Sequence, residues 1–237
     1  MNFFQDLFLI LLAFSPGIFW AYYFIRFDWR RPEPPGLIIQ VFLWGIVMGF
    51  FALLIEKGEL SYIFPSLSFS SFLFIVLRAF LVAGLIEEGL KYLLVRLLVY
   101  HRKVFDEPLD GLVYCMTVAL GLATFENVAA VFIQGTTAIL IRFLTTTLMH
   151  ALTAGVMGYF MGLAKFNLKK EKLYLFLSLF SAIVLHGIYN VIAQINLPFG
   201  LLSLALWLIL MYIITLELIR EAESKYSKLF FRKFGKK

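Results

Sequence analysis

The chain has 237 residues, 62% hydrophobic and only 15% charged, with a mean hydropathy of +0.89 and a net charge of +6. Soluble domains carry about 25% charged residues, so this composition excludes the soluble globular class and indicates an integral membrane protein. No zinc-finger spacing or nucleotide-binding domain occurs, which argues against nucleic-acid and nucleotide partners, and the single cysteine, Cys115, excludes an intrachain disulfide.

A membrane-crossing helix needs roughly 20 apolar residues. Turn and charge punctuation predicts seven such runs. The first, residues 3–25, lacks the basic start of a cleaved signal and reads as a span. The second covers 37–55, and the third, 70–100, is longer than a bilayer requires, so it is expected to tilt or to project beyond it. Four more follow at 111–132, 138–164, 173–195 and 199–220. The expected fold class is therefore all-α: a polytopic membrane helix bundle in one transmembrane domain, residues 1–220, with a basic tail at 221–237.

Basic residues fall in every second loop: Arg26, Arg30 and Arg31 after span one, Arg102 and Lys103 after span three, and Lys165, Lys169, Lys170 and Lys172 after span five. The tail adds Lys225, Lys228, Arg232, Lys233, Lys236 and Lys237. The loop after span two has only Lys57, and the loop after span six has no basic residue. The positive-inside rule places the basic loops and the C-terminus in the cytoplasm and the N-terminus outside. The tail can also rest on anionic lipid. In the loop after span three, "FDEPLDG" at 105–111 reads as a turn and helix start, with Asp106 or Asp110 as cap and Pro108 in the first turn. Arg78 and Arg142, near outer span ends, are expected to snorkel to the interface.

Ionisable groups inside a membrane span are costly and usually face a cavity or one another. Span three carries Glu87, Glu88 and Lys91, span four Glu126 and Asn127, span five His150, and span six His186 and Asn190. At about 1.5 Å rise per residue, all four groups reach similar depths and predict one shared site. Lys91 is four residues from Glu87 and three from Glu88, so it reaches either on one helix face. His186 and Asn190 are likewise four apart, placed to address one ligand. The pair Gly158 and Gly162 has the GxxxG spacing that permits close helix contact.

A carboxylate with an imidazole can deprotonate water and later protonate a leaving amine. The remaining His and Asn groups can stabilise a developing oxyanion. This set suits hydrolysis of an amide bond inside the membrane, by one of two routes. In the first, Glu87 or Glu88 activates water directly and no cofactor is needed. In the second, zinc is held by ligands drawn from His150, His186, Glu126 and Glu88, and lowers the pKa of bound water. No H-E-x-x-H motif is present to choose between them.

The segments "EEGLK" at 87–91, "FDEPLDGLVY" at 105–114, "GLATFEN" at 121–127, His150 and "HGIYN" at 186–190 together resemble the PrsW family of intramembrane proteases, distantly grouped with the CAAX prenyl endopeptidases. The resemblance covers roughly residues 75–195. It implies cleavage of a membrane-anchored protein, such as an anti-sigma factor, in the plasma membrane of a prokaryote. It implies catalytic roles for Glu87, Glu88, His150, His186 and Asn190, with Lys91, Glu126 and Asn127 in support. Lys91 and the Glu126–Asn127 pair depart from the arrangement of the CAAX enzymes, which argues against prenylated substrates. Two other classes would also bury such groups: a proton- or ion-coupled transporter, and a non-catalytic scaffold on a protease-like fold. The chain lacks the internal repeats typical of transporters.

Overall fold

A computed structural model describes residues 3–56, 72–194 and 199–234, with side chains to residue 224. Among the described residues there are helices and turns and no strand. Helix α1 (Phe3–Ile25) ends in a 3₁₀ turn, Arg26–Asp28, and α2 (Pro35–Glu56) follows. Helix α3 covers residues 72–98 in three continuous pieces: an α-helical Phe72–Leu77, a π-helical Arg78–Glu87 and an α-helical Glu88–Leu98. Then come α4 (Pro108–Gln134), α5 (Thr136–Leu144), α6 (Thr146–Phe166), α7 (Glu171–Ile192) and α8 (Phe199–Phe234).

Six helical stretches are long and apolar enough to cross a membrane: Phe3–Asp28, Pro35–Glu56, Pro108–Gln134, Thr136–Phe166, Leu168–Ile192 and Phe199–Ser224. Seven were expected. The difference lies in α3: any 18 consecutive residues of its 27 include at least three of Arg78, Glu87, Glu88, Lys91 and Arg96, too many charges for an apolar span. Residues 70–71 of the expected third span lie outside the described residues, as does Lys57.

The helices divide into a core and a coat. The most apolar stretch of α4 is 67% buried and that of α5–α6 is 61% buried, against 22–28% for the other four candidate spans. The coat exposes leucine, isoleucine and phenylalanine, among them Phe8, Leu43, Phe176, Phe180 and Leu206. Water would make such a surface unstable; hydrocarbon does not.

Close backbone contacts between two pairs of helices hold the core. A Cβ on Gly158 would lie 2.2 Å from the Gly111 carbonyl oxygen, and one on Gly162 would lie 2.2 Å from that of Pro108. The GxxxG pair therefore seats α6 directly on α4 within the chain. A Cβ on Gly121 of α4 would lie 2.1 Å from the Phe42 carbonyl oxygen of α2. Small residues thus let three helices approach without side chains between them.

The expected span 138–164 is not one helix. It breaks at Thr145 (φ −115°, ψ −91°), where the Thr145 hydroxyl donates to the Ile141 carbonyl at 2.8 Å. Three consecutive threonines, Thr145, Thr146 and Thr147, explain the break. Their β-branched side chains disfavour the helix, and their hydroxyls compete for its carbonyls. The short α5 is tied to α1 by Trp20 Nε1, which donates to the Phe143 carbonyl at 2.8 Å. His150 is thereby the fifth residue of α6, rather than a residue deep in a long helix.

At the start of α4, Glu107 is the N-cap, Pro108 occupies the first turn and Asp110 lies at the third helical position. The Asp110 carboxylate accepts from the backbone N–H groups of Asp106 (2.7 Å) and Glu107 (2.8 Å). The "FDEPLDG" segment is thus a helix start with Pro108 in its first turn, as expected, but the N-cap is Glu107 rather than Asp106 or Asp110, and Asp110 reaches back from the third position.

Candidate active site

The candidate site lies where α3, α4, α6 and α7 meet. Glu87 closes the π-helical piece of α3 and Glu88 opens the following α-helical turn. Runs of π-helix are rare and concentrate at functional sites, because they rotate the side chains that follow them. Both carboxylates and Lys91 are buried here.

Lys91 Nζ lies 2.7 Å from Glu88 Oε1 and 3.7 Å from Glu87 Oε2. The same Glu88 oxygen lies 2.7 Å from His186 Nδ1, so α7 is joined to α3 through one carboxylate. An ionised Glu88 accepts from Lys91 Nζ and from the protonated Nδ1 of His186. Lys91 Nζ also lies 3.0 Å from His150 Nδ1, and His150 Nε2 lies 3.1 Å from Glu126 Oε2. The ammonium donates to Nδ1, so Nε2–H donates to Glu126. The two imidazole rings meet edge to face, with centroids 5.2 Å apart.

A second layer fixes these groups. Arg142 on α5 donates to Glu126 Oε2 at 2.7 Å and to Asn127 Oδ1 at 2.6 Å. Asn127 Nδ2 in turn donates to the Thr147 hydroxyl at 3.1 Å. Arg142 therefore does not snorkel as expected; its guanidinium reaches Glu126 and Asn127 on α4. Arg142 and Thr147 are the members that sequence reasoning missed. An arginine beside a run of threonines is the one trace they leave in the sequence.

The structure brings together Glu87, Glu88, Lys91, Glu126, His150 and His186, with Asn127 held alongside. Asn190 stands apart. It is half-buried, and its side chain takes no part in this network of hydrogen bonds among the described residues. The neighbouring hydroxyl of Tyr189 is instead 3.2 Å from that of Thr146.

Two carboxylate oxygens in the cluster, Glu87 Oε2 and Glu88 Oε2, are buried without a hydrogen-bond partner. Glu87 Oε2 also lies 3.7 Å from His150 Nδ1. One ligand atom each from Glu87, His150 and His186 lies within 4.8 Å of the others. Two imidazoles and one carboxylate form a known catalytic zinc set; zinc held here would take the His150 Nδ1 lone pair that Lys91 Nζ now engages at 3.0 Å, so Lys91 would release it and keep its contact with Glu88. The carboxylate in that group is Glu87. Glu88 and Glu126, the carboxylates expected among the ligands, contact His186 and His150 respectively. Carboxylates commonly brace metal-binding histidines in this way.

A buried carboxylate–imidazole cluster inside a lipid-facing helix bundle suits a membrane-embedded hydrolytic enzyme. The family model described as PrsW family intramembrane metalloprotease matches residues 33–216. The chain is 34% identical over 206 residues to Protease PrsW of Geobacillus kaustophilus, covering 84% of this chain and 87% of that protein. It is 30% identical to Protease PrsW of Clostridioides difficile, with 97% of each covered, and 33% identical over 185 residues to that of Bacillus subtilis, with 78% and 82% covered. No solved structure matches. The chain belongs to the PrsW family of intramembrane metalloproteases. It is a protease and a multi-pass membrane protein of a bacterial type.

Proposed function

We propose that this chain is an intramembrane endopeptidase that hydrolyses a peptide bond of a membrane-anchored protein, in the manner of a first cut on an anti-sigma factor. The observation that carries the reading is the convergence of Glu87, His150 and His186 from three helices, with ligand atoms within 4.8 Å. Zinc held by these three residues would lower the pKa of a bound water and polarise the scissile carbonyl. The remaining steps belong to the chain. Glu88 offers its buried Oε2, which has no hydrogen-bond partner, to take a proton from water and return it to the leaving amine. Its other oxygen orients His186, while Glu126 orients His150. Lys91 supplies the positive charge against which two carboxylates are buried. Asn190, one helical turn beyond His186, is assigned to the substrate carbonyl, because its side chain is not used by the network.

The topology we assign has seven spans, with α3 as the extra one. Its 27 helical residues exceed the roughly 20 a bilayer needs. Basic loops put the C-terminus in the cytoplasm and the N-terminus outside the plasma membrane. Residues 1–220 form the protease domain and 221–237 a basic tail for anionic lipid.

The test is reconstitution of the full chain in liposomes with a membrane-anchored reporter. Wild type is expected to cut the reporter, and Glu88→Gln to lose about 10²–10⁴-fold in rate while remaining folded. Cleavage by Glu88→Gln at the wild-type rate would remove the proton-transfer role.

A further inference from the structure

The sequence segments "RFDWRRPE" and "FDEPLDG" take no part in the site above, yet they fold onto each other. Asp28 ends the 3₁₀ turn after α1, and Glu33 precedes α2. Glu107 and Asp110 begin α4. All four acids are almost fully enclosed, with 2% exposure for Asp28, 7% for Glu33, 6% for Glu107 and 1% for Asp110. Asp28, Glu107 and Asp110 each offer an oxygen within 4.8 Å of the others.

The oxygens differ in what they already hold. Asp110 Oδ2 accepts two backbone N–H groups. Glu33 Oε2 accepts the Tyr114 hydroxyl. By contrast, neither oxygen of Asp28, nor Asp110 Oδ1, accepts a hydrogen bond of full geometry, although the Glu33 backbone and the Glu107 carboxyl adjoin Asp28 and the Glu33 carboxyl adjoins Asp110. The nearby basic groups are engaged at the rim. Arg31 pairs with the exposed Asp106 at 3.1 Å. Lys165 donates to the carbonyls of Tyr100 (2.5 Å) and Arg102 (2.9 Å). Four enclosed carboxyls with three undonated oxygens need either shared protons or a cation. A donor set made only of oxygen, with no imidazole or thiolate, selects a hard cation over zinc.

We propose that Asp28, Glu107 and Asp110, with Glu33 beside them, bind a hard divalent cation of the calcium or magnesium type. The cation clamps the turn after α1 to the start of α4, the helix whose far half carries Glu126 and Asn127. The site is separate from the hydrolytic cluster and does not depend on its assignment.

The experiment is thermal unfolding of the full-length protein in nanodiscs, chelated first and then titrated with calcium or magnesium at constant ionic strength. The wild-type midpoint is expected to rise and saturate. In Asp28→Asn the rise should disappear or need at least about tenfold more cation, since loss of even a supporting contact weakens metal sites by that factor. The chelated Asp28→Asn protein should melt no lower than chelated wild type, because a buried charge has been removed. Glu107→Gln, read in the same way, replaces it if Asp28→Asn does not fold. Three results would overturn the proposal. One is a wild-type midpoint unmoved by either cation up to about 10 mM, beyond the weak end of protein calcium sites. Another is a rise that survives in Asp28→Asn and Glu107→Gln. The third is a midpoint that responds to acid alone, the mark of shared protons.

Discussion

Replacing Lys91 by methionine tests whether the buried charges form a matched set. Methionine keeps much of the apolar stem and removes the ammonium. Nζ is fully buried, 2.7 Å from Glu88 and 3.7 Å from Glu87. At an effective dielectric of about 20, those separations correspond to attractions of roughly 6 and 4–5 kcal/mol. Desolvation cancels most of that gain while both partners are present. Removing one partner leaves the carboxylates buried without it, and breaking a buried pair this way costs about 3–5 kcal/mol. The double variant Lys91→Met with Glu88→Gln should recover part of the loss, with a coupling energy of about 1–3 kcal/mol. Denaturant unfolding of the four proteins in micelles, followed by tryptophan fluorescence, measures the cycle. A Lys91→Met protein within about 0.5 kcal/mol of wild type, or a double variant whose loss equals the sum of the singles, would refute the reasoning.

Two further outcomes follow from the packing and from the acid cluster. Gly158→Val should destabilise by about 1–3 kcal/mol or more. Its Cβ would meet the Gly111 carbonyl oxygen at 2.2 Å, and both atoms belong to core helices; an unchanged melting midpoint would show that α4 and α6 do not touch there. Burial, the largest cause, raises Glu33 and Glu107 above the usual 4.5 of a glutamate. Groups with a raised folded pKa bind protons more tightly in the folded state. In chelator, stability is therefore greatest near and below that usual value and falls as pH rises toward the folded values. Asp28, Asp106, Asp110, Arg31 and Tyr114 surround these two acids and shape the curve. Melting curves of wild type and the Glu33→Gln, Glu107→Gln double variant should differ in slope over this window; parallel curves would contradict the assignment.

What could be read in the sequence was what local spacing controls. Lys91 reaches Glu88 because three residues bring it round one helix face, and that spacing is visible in "EEGLK". Gly158 and Gly162 announced a close helix contact in the same way. The cross-helix partners were not legible. Which of Glu87, Glu88 and Glu126 stands nearest each imidazole depends on the rotation of four helices. The π-helical piece before Glu88 changes that rotation without any residue signature. Arg142 departs from the interface position its place near a span end predicts, because Glu126 and Asn127 of the neighbouring α4 offer its guanidinium acceptors. Asn190 shares the spacing of His186, yet it remains outside the network, since spacing on one helix does not say what the facing helices offer.

Metal content is the most direct test of the central claim, that Glu87, His150 and His186 build one hydrolytic centre. Atomic emission on purified full-length protein, after exchange against free metal, should find zinc bound stoichiometrically to wild type and to Glu88→Gln. It should find the metal lost from Glu87→Gln, His150→Ala and His186→Ala, each still folded by circular dichroism. Zinc retained at the wild-type level by those three variants would contradict the account.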